Sequence, residues 1–424
     1  MRNRVDLAGI MAAAGSGGRA SAVLQARGRA PGEGSPGVSG RAPTDTGERP
    51  RRVLLVAGEA SGDLHGADLV GALRQRIPNL EVVGVGGSHL RAVGMRTIAD
   101  ARDIATVGLV EGVGRLRAIL RAYRALARML RDGQPDLAVF IDFPEFNLRL
   151  ARVAKRAGVP VFYYIGPQVW AWRRGRIRTV ARRVDALALV FPFEPALYAP
   201  RCPGVEFVGH PLLDRVRVTR SREETLTRYG LDRERPTVAL LPGSRRKEIR
   251  YVLPRLLDAA EILRERRGCQ FLLALAPTVE RVQVEQEIAR RRVAVRVAAD
   301  DTYNVIHAAD VALVASGTAT LETALLERPM VIVYRLSPVT YGVARLLVGV
   351  RHIGIPNIVA GRPVVPELVQ GFATGQRIAA AAQDILDDPA ERRRMVGELA
   401  AIRGHLGPGG AATRAAEIAC RLLA

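Results

Sequence analysis

VLLVAGEASGDLHGADLVGAL, Val53 to Leu73, is the stretch on which the reading of the fold turns. An unbroken apolar run ends at Ala57, a glycine-bearing loop supplies Glu59, Ser61, Asp63 and His65, and a helical pattern follows. An apolar run without alternation is a strand covered on both faces, so strand, loop and helix form one unit of a parallel α/β sheet. In such sheets ligands sit at the carboxyl ends of the strands, against helix N-termini. One side chain, Ser61 or Asp63, is enough to cap the helix. Glu59 and Ser61 therefore lean toward function.

The same alternation spreads outward. RRVLLVAG, EVVGVGG, DLAVFID, VPVFYYIG and DALALVFPF form one series of strand-like runs, and TVALLPGS, QFLLALAP, VAVRVA, DVALVASG and PMVIVYR form a second. Two series predict an α/β protein of two doubly wound, Rossmann-like domains facing a cleft. Residues 51–214 are assigned to the first, and 215–424 to the second, whose last helices, from about 375, are expected to pack back across the cleft. Residues 1–50, rich in Gly, Ala, Ser, Pro and Arg, read as a disordered extension.

Sixty-three basic against 42 acidic residues give a formal charge of +21, but Lys155 and Lys247 are the only lysines, so the excess looks like a codon bias toward arginine. The charge favours anionic surfaces, phospholipid or phosphorylated substrate, and no nucleic-acid motif accompanies it. Cys202, Cys269 and Cys420 show no metal-ligand spacing and fit a reducing compartment. No apolar run reaches the roughly 18 residues of a membrane span.

Three further loops carry chemistry. FIDFPEFN (140–147) puts Asp142 at a strand end and Glu145 after a proline turn, two carboxylates able to act as a general base. LLPGSRRKEI (240–249) can hold a phosphate on the N–H groups around Gly243 and Ser244 and on the Arg245 guanidinium. In the fourth loop Ser316, Gly317 and Thr318 open a helix, offering a second anion site or simply a cap, and Glu322 lies one turn on, where it can accept from a ribose diol. Two diphosphate-friendly loops facing a carboxylate-rich floor suggest a nucleotide-sugar donor in a cleft. VGVGGSH (83–89) imitates a dinucleotide fingerprint but reads as a tight turn.

VAGEASGD, IDFPEFN, YYIGPQVWAWRRGRI, FPFE, FVGHPLLD, LLPGSR, SGTATLE and IPNIVAGR, in this order, closely resemble the lipid-A-disaccharide synthase family from about Val53 onward. The resemblance implies a GT-B fold and inverting transfer of 2,3-diacylglucosamine from UDP-2,3-diacylglucosamine to 2,3-diacylglucosamine 1-phosphate, giving a β-1,6 disaccharide and UDP in lipid A biosynthesis. It implies no metal and no cofactor. Carried over residue by residue, it points to Glu59, Ser61, Asp136 and Asp142 in the first domain and to Arg245 and Asn357 in the second. Glu145 stands where the family often has Asp. His65, His89, His210, His307 and His352 lack an obvious base partner, His210 in GHP being the one worth testing.

Acylated substrates imply a peripheral protein on the cytoplasmic face of an anionic inner membrane; a homodimer is left open. In 104–131, Leu116, Ile119, Leu120, Tyr123, Leu126 and Leu130 follow helical spacing among arginines, the pattern of a core-facing helix. Just before it, Val107, Leu109, Val110 and Val113 lie between glycines as an apolar docking patch, with Trp170 and Trp172 as interfacial anchors or as lining of the acceptor path. The rival readings are a UDP-N-acetylglucosamine 2-epimerase or a transferase with an unacylated acceptor, neither of which needs an apolar groove. A non-catalytic membrane or nucleic-acid binder is the third, and it leaves the polar strand-end loops without a purpose.

Overall fold

The computed structural model describes residues 49–104, 113–171, 174–337, 341–342 and 351–424. The extension read as disordered thus falls outside the described residues, but for Arg49 and Pro50.

Seven strands form the first sheet: β1 (Arg51–Ala57), β2 (Leu80–Gly86), β3 (Arg96–Asp100), β4 (Leu137–Ile141), β5 (Val161–Tyr164), β6 (Ala186–Leu189) and β7 (Val205–Phe207). Their spatial order is 3-2-1-4-5-6-7, and every pairing is parallel. The second sheet comprises β8 (Thr237–Leu241), β9 (Gln270–Leu275), β10 (Val295–Ala299), β11 (Val311–Ala315), β12 (Met330–Tyr334) and β13 (Glu367–Val369), ordered 10-9-8-11-12-13 and again parallel. The strand order reverses between β1 and β4 in one sheet and between β8 and β11 in the other. A crevice opens at each reversal, because the connections leave in opposite directions. All four polar loops of the sequence follow these four strands.

The apolar runs are central because they can be buried on both faces. Val53 to Ala57 and Leu137 to Ile141 are wholly inaccessible to solvent. Gly84 sits opposite Leu55 at φ +153°, and a Cβ there would fall 1.9 Å from the Leu55 carbonyl oxygen, so β1 and β2 pair only with glycine at that point. The helix Val113–Arg131 buries Ala122, Leu126, Ala127 and Leu130 and exposes Arg117, Arg121, Arg124 and Arg128, but Leu120 of the expected core stripe is exposed as well, and the side chain of Leu116 lies outside the described residues. Val107, Leu109, Val110 and Trp172 lie outside the described residues, as does the side chain of Val113.

The chain passes between the two sheets twice. It leaves the first sheet after β7 and returns near its end: the helices Gly375–Asp387 and Pro389–His405 pack in the second unit, whereas Ala411–Leu423 lies on the helix Ala60–Arg74 of the first. The two passages are bonded together. The His210 N–H donates to the Leu406 carbonyl (3.0 Å), the Gly410 N–H to the Asp214 carboxylate (2.7 Å), and the Arg414 guanidinium to the carbonyls of Val208 (2.5 Å) and Pro408 (2.8 Å). No helix among the described residues is long and apolar enough to cross a membrane.

Candidate active site

Asp142 and Phe143, directly after β4, both have left-handed backbone (φ 45° and 49°). For residues other than glycine this costs on the order of 1–3 kcal/mol each and needs support. The support is local. The Asn147 amide donates to the carbonyls of Ile141 (3.2 Å) and Asp142 (2.7 Å), and the Tyr163 hydroxyl donates to the Asp142 carbonyl (2.5 Å). The Phe143 ring stacks on Phe146 at 5.5 Å and covers Gly58, where a Cβ would come within 2.4 Å of it. Gly58 is therefore required by the neighbouring loop. Asn147 was not singled out from sequence, and no sequence signal marks it, because its role depends on the positive φ angles of Asp142 and Phe143.

So held, the Asp142 carboxyl titrates at about 6: burial raises it most, the carboxylates of Glu59 and Glu145 add to this, and the Phe143 N–H and the Arg245 guanidinium oppose it. Glu145 is exposed and ion-paired with Arg176. Glu59 occupies the N-cap position of the helix Ala60–Arg74 without capping it, and its carboxylate reaches across the cleft to Arg245 at 3.9 Å. Ser61 is exposed on the first turn. Asp63 does not cap its own helix. Its buried carboxylate accepts from the N–H groups of Gly87 (2.5 Å), His89 (2.9 Å) and Leu90 (3.2 Å), capping the short helix Ser88–Ala92 and tying the loop after β1 to the loop after β2. VGVGGSH is the turn that receives it.

In the second unit the PGSR loop departs from the expectation of a free backbone cradle. The Glu248 carboxylate accepts from the N–H groups of Ser244 (2.8 Å) and Arg245 (3.1 Å) and packs on Gly243, whose φ of +105° brings the backbone against it. Those two N–H groups are engaged inside the loop; the Arg245 side chain also pairs with Glu248 (3.2 Å) but is 60% exposed, and it is the group of this loop that can meet a ligand. SGT departs in the other direction, because it is not a cap. The Ser316 hydroxyl donates to the Ile353 carbonyl (2.9 Å), Gly317 has φ +155°, and no side chain caps the helix Thr318–Leu325, whose N-terminal dipole points at the crevice. One turn on, burial raises the Glu322 carboxyl, which accepts from the Tyr303 hydroxyl at 3.4 Å.

Four residues singled out from the sequence have other roles. Asp136 precedes β4 and Asp142 follows it, so the two stand about 20 Å apart at opposite ends of one strand. Asp136 instead accepts from the Arg52 N–H (2.7 Å), fastening β4 to β1. Asn357 is fully buried: its amide donates to the Val365 carbonyl and to Glu367 (both 2.8 Å), and its oxygen accepts from the N–H groups of Val364 (2.7 Å) and Val365 (3.0 Å). All four bonds of its side chain are made internally, so in this structure it serves the fold. It secures, through Glu367, the Ile353–Gly354 segment on which Ser316 rests. Trp170 is buried rather than interfacial, edge-on to Phe191 and Phe193, with its indole N–H on Glu194 (3.1 Å). His210 is buried too; burial drives it down to about 3, and its Nδ1 accepts from the Leu212 N–H (3.2 Å), a structural role.

Two facing parallel sheets, with a carboxylate at one reversal and an arginine and an uncapped helix at the other, have the architecture of the GT-B class. Among solved structures the fold resembles UDP-N-acetylglucosamine 2-epimerase from Neisseria meningitidis bound to UDP-GlcNAc (TM-score 0.60, 14% identity, 87% of this chain and 100% of that one). It also resembles Acinetobacter baumannii MurG (TM-score 0.55, 13% identity, 88% and 100%). The family model for lipid-A-disaccharide synthetase matches residues 53–405, and a lipid-A-disaccharide synthase from Syntrophus aciditrophicus is 50% identical over 373 residues, 88% of this chain and 97% of the relative. The chain belongs to the lipid-A-disaccharide synthase family, glycosyltransferases of lipid A biosynthesis.

Proposed function

We propose that the chain transfers 2,3-diacylglucosamine from UDP-2,3-diacylglucosamine to the 6-hydroxyl of 2,3-diacylglucosamine 1-phosphate, with Asp142 as the base. The observation that carries this is Asp142 itself, set by a strained turn at the β1/β4 reversal with a carboxyl near 6, as a base working at neutral pH requires. As the acceptor oxygen bonds to the anomeric carbon, its proton passes to Asp142. The bond from that carbon to the diphosphate breaks, and the electron pair leaves on UDP. Arg245 and the N-terminus of the helix Thr318–Leu325 take up the charge that develops there. Glu59 and Ser61 line the acceptor side; Glu322 is the carboxylate for the ribose, with Ser316, Gly317 and Thr318 at the diphosphate. Glu145, held by Arg176, shapes the acceptor floor. In this reading residues 51–214 bind the acceptor and 215–424 the donor, and the protein works peripherally on the cytoplasmic face of an anionic inner membrane.

The test is incubation of both diacyl substrates with wild type, Asp142→Asn and Glu145→Gln, following UDP and disaccharide by mass spectrometry. Disaccharide from wild type, lost in Asp142→Asn with the fold intact, is the expected result. Turnover of plain UDP-N-acetylglucosamine with no disaccharide would favour the epimerase reading and overturn this one.

A further inference from the structure

Outside the cleft, a groove of about 600 Å³ opens between the helices Arg246–Tyr251 and Arg281–Ala289. These follow the adjacent strands β8 and β9, so the groove lies at the same end of the second sheet as Arg245, one residue away along the chain. Arg246, Lys247, Arg250 and Arg290 line it, together with the amides of Gln283 and Gln286. The one acidic lining residue, Glu287, is already paired with Arg290 (3.0 Å). Arg246, Lys247 and Arg250 have no acidic partner among the described residues, so their charges face the groove uncompensated. On the first turn of the second helix, Val282 is 63% exposed.

We infer that this groove is a contact site for the headgroups of anionic phospholipids, giving the donor-side domain its own hold on the bilayer. All four cations are exposed, so they form a rim suited to a charged surface; a seat for one small ion would enclose it with buried donors. Val282, next in the chain to the lining residue Gln283, supplies an exposed apolar side chain on the same helix, able to enter the headgroup layer. The inference rests on the reading that the donor is acylated: a cleft whose Arg245 lies beside a lipid-facing rim receives such a donor without drawing its chains through water.

The test is co-sedimentation of the full chain with phosphatidylcholine vesicles, with or without phosphatidylglycerol, at low and high salt, for wild type, Val282→Ser and the triple variant Arg246→Gln, Lys247→Gln, Arg250→Gln. Loss of three surface cations should weaken binding to the anionic vesicles ten- to a hundred-fold, as an order of magnitude, and lower its salt dependence. Val282→Ser should weaken it less and at all salt concentrations. Anionic-vesicle binding by the triple variant equal to that of wild type would overturn the inference. So would displacement of wild type by soluble glycerol phosphate at matched headgroup concentration, which would mark a small-phosphate site. Disaccharide synthesis in neutral detergent separates the two readings. The triple variant should keep its turnover there, and its loss would place the groove in the donor site and sink the inference. A wild type that binds vesicles yet makes no disaccharide would sink only the proposed function.

Discussion

Asp142 shows how one residue's chemistry is set by its neighbours' backbone. Its carboxylate is the active form of a base, so kcat/KM should rise about tenfold per pH unit below its value near 6 and level off above it. A pH–rate profile checks this, and one flat between pH 5 and 7 would exclude Asp142 as the base. Asp142→Asn should lower kcat by roughly 10²–10⁴ with little change in KM. Asp136→Asn should do the opposite: full turnover, with about 1–2 kcal/mol lost in urea unfolding as the Arg52 N–H loses its charged acceptor. Asp136 opens the run DLAVFID and Asp142 closes it, so the strand-end rule already favoured Asp142; Asp136 entered only through the resemblance, which carries no account of which end of a strand faces the cleft. Glu59, Asp142 and Arg245 were legible for a physical reason: a strand that is buried on both faces spends its polar residues only where it ends. Asn147 was not, since its value depends on two positive φ angles that no composition reveals.

At the scale of elements, the ten apolar runs of the sequence all became strands, and β3, β7 and β13 were missed. All three are edge strands. An edge strand has one neighbour and is only partly covered, so RTIAD, VEF and ELV carry no continuous apolar run to be read. The Glu248 carboxylate inside the PGSR loop was invisible for a related reason, because a helix signal does not say which way its first acidic side chain turns. Two variants test elements instead of chemistry. Gly84→Ala should fail to give soluble folded protein, or lose more than about 3 kcal/mol, since its methyl would meet the β1 backbone; normal thermal stability would contradict the close pairing described. Asn357→Ala should cost about 3 kcal/mol by stranding the N–H groups of Val364 and Val365. If Asn357 were instead a direct nucleotide ligand, UDP affinity would fall while the melting temperature stayed put.

For the whole molecule, the decisive feature is the double passage between the sheets. Arg414 holds both passages at once, through Val208 and Pro408. Arg414→Ala should therefore lose about 2 kcal/mol and become sensitive to limited proteolysis between His405 and Ala411; resistance equal to wild type would show that the remaining bonds suffice. The helix Ala411–Leu423 has a further consequence, one that concerns the order of events during synthesis. Its buried face, Ala415, Ala416, Ile418 and Ala419, seals the helix Ala60–Arg74 made some 350 residues earlier. A growing chain completes the first sheet and then waits, with that helix unsealed, while everything from residue 215 on is translated. At about 5–20 residues per second this is roughly 10–40 s, long enough for a chaperone to find the bare surface. The unit that emerges first is thus the last to be finished, and neither half can be cut free of the other at a single point in the chain.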